Sequence, residues 1–105
     1  MRPSYREVEM DILRWAEARR IIPNSTPTAQ FMKAVSEMGE LSDALTKNDL
    51  EAMQDAVGDA LVCLVNMCAL LDLDIVDCMA HAYDQIKDRR GTMMPSGVFV
   101  KEPGP

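Results

Sequence analysis

The alternation of apolar and polar positions along the chain predicts four helices separated by short polar breaks. They cover residues 5–20, 27–47, 49–71 and 75–90, with ends that are approximate. Residues 92–105 lack a helical pattern and are expected to form a short non-helical tail. Since 105 residues are enough for one domain, we expect an all-α fold, an up-down bundle of four helices.

Residues with short polar side chains precede each predicted helix and are candidate N-caps. They are Ser4, Thr26, Asn48 and Asp74. Between the first two helices, Pro23 removes a backbone donor and predicts a break. Gly91 follows the fourth predicted helix, where glycine favours a helix C-terminus.

The apolar residues of the third predicted helix recur at three- and four-residue steps, which is typical of a core-facing stripe. They are Leu50, Met53, Val57, Leu61, Leu64, Cys68 and Leu71. The second half of this helix is apolar nearly all round, which indicates burial on most sides. A chain this short has a modest core of its own, so we expect a homodimer or homotetramer with this helix at its centre.

Charge and composition narrow the classes of partner. The formal net charge is −6, which argues against a nucleic acid polymer as partner because phosphate backbones are bound by clustered Lys and Arg. The three cysteines lack zinc-finger spacing, and we find no signal peptide. The apolar run 60–71 is too short to span a bilayer, so no membrane partner is expected. These features predict a reduced cytoplasmic protein.

Two pairs of carboxylates stand out on the second and third predicted helices. Glu37 and Glu40 are three residues apart and project from one side of their helix. Asp55 and Asp59 lie with Asn66 within roughly 40° of one another around the third helix. Because a short turn joins the two helices, antiparallel packing would bring the two pairs face to face.

Four carboxylates without nitrogen or sulfur donors favour Mg²⁺, Mn²⁺ or Ca²⁺ over zinc. Of these, we expect Mg²⁺, with Mn²⁺ as a substitute, because Mg²⁺ takes its remaining ligands from substrate phosphates. Such a site suits metal-assisted attack of water on a phosphate chain. The alternative is that both pairs lie on solvated helix faces and are balanced by neighbouring lysines, such as Lys33 beside Glu37.

Seven short sequence motifs follow one another in a fixed order through most of the chain. They occupy residues 15–19, 30–33, 37–41, 55–59, 66, 86–91 and 97–102. In their order and spacing, the chain resembles the MazG-like family of all-α nucleotide pyrophosphohydrolases, and especially its short phage-type members. The resemblance implies hydrolysis of a nucleoside triphosphate to the monophosphate and pyrophosphate, with Mg²⁺ as cofactor.

The resemblance also implies roles for the carboxylates. Glu37 and Glu40 match the Glu-x-x-Glu motif of the family, and Asp59 matches the last position of its Glu-x-x-Asp motif. Ala56 stands where that second motif has Glu, and Asp55 is the candidate replacement. Glu37, Glu40 and Asp59 are thus the catalytic candidates, and with Asp55 they are the metal ligands.

Further substrate contacts follow from the same resemblance. Lys87 and Arg90 are candidates for the phosphates, from the same or a neighbouring subunit. Asn66 is a candidate for the sugar or the base, Trp15 for stacking on the base, and Lys33 is a further substrate-binding candidate.

Two other functions stay open at this point. A non-catalytic oligomeric module that binds a nucleotide or a protein is favoured by Ala56, since a lost ligand can mean lost catalysis. An enzyme of the same fold that hydrolyses the alarmone ppGpp is the second alternative.

Overall fold

The computed structural model describes residues 1–103, and the last two residues of the predicted tail lie outside it. Within this range the chain forms five helices and one two-stranded antiparallel sheet. The helices are α1 (Tyr5–Ala18), α2 (Ile21–Asn24), α3 (Pro27–Thr46), α4 (Leu50–Leu70) and α5 (Ile75–Ile86). The strands are β1 (Gly91–Met93) and β2 (Phe99–Lys101).

Three of the four predicted N-caps are confirmed. The Ser4 side chain accepts from the Glu7 backbone in a capping box. Thr26 Oγ1 accepts from the Ala29 amide at 3.0 Å, and Asp74 caps α5 through the amides that follow it. Local chemistry therefore fixes where α1, α3 and α5 begin.

The predicted cap at Asn48 is wrong. Asn48 has a φ of 55°, the left-handed conformation that Asn tolerates and that ends α3. The next residue, Asp49, caps α4 by accepting from the Ala52 amide at 3.1 Å. The turn between α3 and α4 is therefore very short, and the two helices pack antiparallel.

The prediction of four helices is also wrong, by one short element. The break at 21–24 is confirmed, but this segment coils into the four-residue α2, which is distorted at Ile22. In the described range the fold is therefore mostly helical, rather than a plain bundle of four helices.

The predicted end of the last helix at residue 90 is wrong. Helix α5 ends at Ile86, and Gly91 begins β1 instead of ending the helix. A Cβ on Gly91 would collide with the Val100 carbonyl and the Phe99 ring, so glycine is needed there for close strand pairing. Residues 92–103 contain no helix, and the pairing of β1 with β2 was not foreseen.

The contact between α3 and α4 is built from small residues rather than from the predicted large apolar stripe. Its buried members include Ala34, Ala44, Ala56, Ala60 and Cys63. Small side chains let two helices approach closely. Four large residues of the predicted stripe lie exposed: Leu50, Val57, Leu61 and Leu71. Val35, Met38 and Leu45 of α3 are exposed as well.

The second half of α4 does follow the prediction, since every residue from 62 to 70 is buried or half-buried. By length and composition alone α4 could also cross a membrane, and a third of that stretch is buried inside the fold. The core helix of a soluble protein can have the same length and apolar composition, so these two features are weak evidence for a membrane span. Asp55 and Asp59 lie in the middle of α4, where carboxylates would be costly in hydrocarbon.

The chain is more extended than a compact domain of its length. Its radius of gyration is 16.6 Å, against about 13 Å expected for 105 residues. Helix α5 also presents an exposed apolar face, formed by Met79, Tyr83 and Ile86. Much apolar surface is therefore open in the single chain.

Candidate functional site

An acidic pocket of about 410 Å³ lies where the end of α3 meets the start of α4. Its lining includes five acidic residues, one lysine and three alanines. They are Glu40, Asp43, Asp49, Asp55, Asp59, Lys47, Ala44, Ala52 and Ala56. The electrostatic potential of such a pocket attracts cations, and its oxygen donors are those that hard divalent ions prefer.

The sequence places carboxylates beside the closest contact between the two helices. Ala44 and Ala56 are each 3% exposed and lie where α3 and α4 meet. Asp43 and Asp55 directly precede these alanines and are exposed. The small residues hold the backbones together, so that acidic residues from both helices line one pocket.

Glu37 lies one helical turn before Glu40 and is 6% exposed. Its Oε2 is buried and has no hydrogen-bond partner within residues 1–103, while Lys33 Nζ lies 3.8 Å from Oε1. The pKa of Glu37 is raised because its protonated carboxyl can hydrogen-bond with Glu40, and also by burial and by the negative charges of Glu40 and Asp59, whereas Lys33 opposes the rise. Glu37 thus belongs to the same carboxylate cluster.

An unpartnered buried carboxylate oxygen requires a physical reason, and a bound cation provides one. The donor set therefore fits a divalent metal ion. Within the described residues, no three Asp, Glu, His or Cys side chains stand close enough to enclose an ion. Carboxylates that face one another without a counter-ion repel, so side-chain rotation would have to accompany the binding of a metal ion.

Comparison with known proteins identifies the family to which the α3–α4 region and its acidic pocket belong. The model of the family described as the MazG nucleotide pyrophosphohydrolase domain matches residues 25–94, about two thirds of the chain. The chain belongs to the MazG nucleotide pyrophosphohydrolase family. The matched range includes α3, α4 and α5, and so every residue of the acidic pocket.

Two individual proteins are similar to this MazG-family chain. An uncharacterized 18.2 kDa protein of Haemophilus phage HP1 is 36% identical over 66 residues, which are 63% of this chain; the chain spans 40% of the length of that relative. The solved structure of the cyanophage S-2L MazG-like pyrophosphohydrolase, bound to dGDP and three catalytic Mn²⁺ ions per active site, superposes with a TM-score of 0.70. That match covers 98% of this chain and 97% of the other at 19% identity, which shows a shared fold.

The predicted metal ligands are brought together in the MazG-family chain. Glu40, Asp55 and Asp59 line the acidic pocket, and Glu37 contacts Glu40 at its edge. Ala56 also lines the pocket, so the position where the family motif has Glu faces the same space without an oxygen donor.

The predicted substrate contacts are not brought to this pocket in the single chain. Asn66 is 2% exposed, and its Oδ1 is buried without a partner in the described structure. Trp15 is half-exposed on α1 and does not line the acidic pocket. Lys33 reaches Glu37 rather than the pocket itself.

The basic residues near the end of α5 lie at a different place. Lys87 Nζ is 3.4 Å from the Asp84 carboxylate. Arg90 lines a separate cleft between the end of α5 and the β1–β2 hairpin, which shares no residue with the acidic pocket. These cations do not reach the acidic pocket of their own chain as it stands.

Three charged pocket residues were missed from the sequence: Asp43, Lys47 and Asp49. Asp43 continues the three-residue spacing of Glu37 and Glu40, so the signal was present but was not followed beyond the motif. Lys47 lies in the cap region of α3, and only the short turn after it brings its side chain to the pocket.

Proposed function

We propose that this chain is a Mg²⁺-dependent nucleotide pyrophosphohydrolase, with Mn²⁺ as a substitute, which converts a (d)NTP to the (d)NMP and pyrophosphate. The observation that carries the proposal is the clustering of Glu37, Glu40, Asp55 and Asp59 at one pocket of a MazG-family fold. The nucleotide and Mn²⁺ ions of the cyanophage enzyme support it. All three cysteines are thiols, in keeping with a proposed cytoplasmic location.

The proposed metal ligands are these four carboxylates. When bound, divalent cations neutralise phosphate charge and lower the pKa of a coordinated water. The exposed Glu40, Asp55 and Asp59 would hold the ions that fix the phosphate chain, and one carboxylate of the cluster not fully occupied by metal would take the proton of the attacking water as general base. Lys47 lines the pocket and places a positive charge beside the phosphates.

The test is a comparison of two matched variants in a hydrolysis assay. Glu40→Gln removes a carboxylate that lines the pocket, whereas Glu51→Gln makes the same change at an exposed residue of α4 outside it. We expect Glu40→Gln to abolish hydrolysis with unchanged helicity by circular dichroism, and Glu51→Gln to keep wild-type activity. Full activity of Glu40→Gln would remove Glu40 from the site.

We also propose that the functional form is a homodimer or homotetramer. The extended single chain and the exposed face of Met79, Tyr83 and Ile86 support it, because such apolar surface is costly in water. In an assembly, Lys87 and Arg90 of a neighbouring copy can approach the acidic pocket. Light scattering after size exclusion tests this, and a monomer at micromolar concentration would contradict it.

A second candidate function is a non-catalytic nucleotide-binding module. Ala56 is the observation that favours it, since the family motif has a carboxylate there and this chain has none. The two functions differ in one readout: a binding module retains a nucleotide for hours in the presence of Mg²⁺, whereas the enzyme converts it. Under the same conditions ppGpp tests whether an alarmone is the substrate.

A further inference from the structure

The absence of an oxygen donor at position 56 has a structural consequence for the facing helix. Ala56 is almost fully buried and lines the acidic pocket, and α3 forms the opposite wall. A ligand that replaces the missing carboxylate must therefore come from a neighbouring position on α4 or from α3. Asp55 is the neighbour on α4, and Glu40 and Asp43 are the acidic residues of α3 that line the pocket.

Asp43 meets the requirements for such a ligand. It lies one turn after Glu40, about 60° further around the helix axis, so both side chains face the pocket. It is exposed, and within residues 1–103 its carboxylate forms no ion pair with Lys or Arg. Rotation of its side chain toward a cation would break no salt bridge.

A second observation points to a cation at the carboxylate cluster, beside Glu40. The buried Oε2 of Glu37 has no partner within the described structure, and Glu37 is more than nine-tenths buried. The Glu37 carboxyl contacts Glu40, and the negative charge of Asp59 raises its pKa. Glu40 and Asp59 both line the pocket. Glu37 itself does not line the pocket, so the unpaired oxygen lies at its edge, next to Glu40.

We propose that Asp43 is a metal ligand of this chain and that, together with Asp55, it supplies the coordination that Ala56 cannot. This inference rests on the proposed function. It shifts the metal site toward the turn between α3 and α4, so that the ions span from Glu37 to Asp43 along α3. Asp43 lies six residues after Glu37, which is about 9 Å along the helix.

The experiment measures Mn²⁺ binding, not activity. The signal of unbound Mn²⁺ in electron paramagnetic resonance is titrated for the wild type, Asp43→Asn, Asp49→Asn and Glu40→Gln at about 0.15 M salt, where distant charges are screened. Asp49→Asn is the matched control: it removes the same charge from the same pocket and keeps an N-cap residue. Circular dichroism verifies that each variant is folded.

We expect Asp43→Asn to lose one bound Mn²⁺ or to weaken binding at least about tenfold, as loss of a metal-site group does. Asp49→Asn should change binding by less than about threefold, because the Asp49 carboxylate is engaged by the Ala52 amide and is not a proposed ligand. If Asp43→Asn and Asp49→Asn behave alike while Glu40→Gln loses binding, the role of Asp43 is refuted and the proposed function stands. If the wild type binds no Mn²⁺, both fail.

Discussion

Divalent metal should stabilise this protein strongly, and Glu40→Gln should remove most of that stabilisation. The acidic pocket holds five carboxylates and one lysine. Without metal, the mutual repulsion of these carboxylates destabilises the folded state. The unfolded chain separates these residues and binds metal weakly. Metal binding is therefore linked to folding.

The size of the effect follows from the chain length. A ligand at a hundred times its dissociation constant stabilises the folded state by about 2.7 kcal/mol. For 105 residues the unfolding entropy is about 0.22 kcal/mol per kelvin, so Tm should rise by about 12 °C. If Glu40→Gln weakens binding tenfold or more, the same metal concentration should raise its Tm by about 6 °C or less.

The assay is thermal unfolding followed by circular dichroism, with and without Mn²⁺ at a concentration fixed from the wild-type titration. Glu51→Gln serves as the control and should keep the full shift, since Glu51 is exposed and outside the pocket. Without metal, Glu51→Gln should unfold within about 0.5 kcal/mol of the wild type. A wild-type shift retained in full by Glu40→Gln would refute the placement of the metal.

Three further predictions concern the cluster and its scaffold. The raised pKa of Glu37 means that the folded state binds the Glu37 proton more tightly than the unfolded state does. Without metal, the free energy of unfolding should therefore fall as the pH rises from 4.5, the ordinary glutamate pKa, through the raised pKa of the folded state. In Glu37→Gln the free energy of unfolding should fall less over this pH range, which urea unfolding in EDTA at several pH values measures. An unchanged fall would show that Glu37 is not its cause. Thr26→Ala removes the cap on the Ala29 amide and should lower the free energy of unfolding by about 1 kcal/mol in urea without changing Mn²⁺ affinity. Ala56→Glu should tighten Mn²⁺ binding in calorimetry by restoring the family carboxylate, and weaker binding from folded protein would show that the pocket has no place for it.

Local signals in the sequence predicted the helices well where the chemistry is local. Ser4, Thr26 and Asp74 cap helices because their side chains bind amides two or three residues away, which sequence spacing reveals. Asn48 and Gly91 were misassigned for a different reason. The left-handed conformation of the first and the close strand pairing of the second depend on backbone geometry that residue type only permits.

The core was predicted less well, because hydrophobicity does not distinguish a chain's own core from surface left for a partner. The stripe of Leu50, Val57 and Leu61 has the correct period but lies exposed, while alanines form the contact between α3 and α4. Helical periodicity ranks the faces by apolar content. Close packing between antiparallel helices can instead select the face with the smallest side chains.

For the candidate site, spacing on one helix together with the short turn was sufficient to predict that Glu40, Asp55 and Asp59 would line one pocket. It could not show that Glu37 would be buried, since its place in the contact depends on the register between α3 and α4. The same register brings Lys47 to the pocket, and this was not foreseen.

Product identification tests the central claim most directly. The protein is incubated with a panel of NTPs, dNTPs and ppGpp, with and without Mg²⁺, and the products are separated by ion-exchange chromatography. We predict a monophosphate and pyrophosphate from a triphosphate, formed only with the metal and lost in Glu40→Gln. A diphosphate with inorganic phosphate, or no turnover of any compound by folded protein with Mg²⁺, would contradict the account.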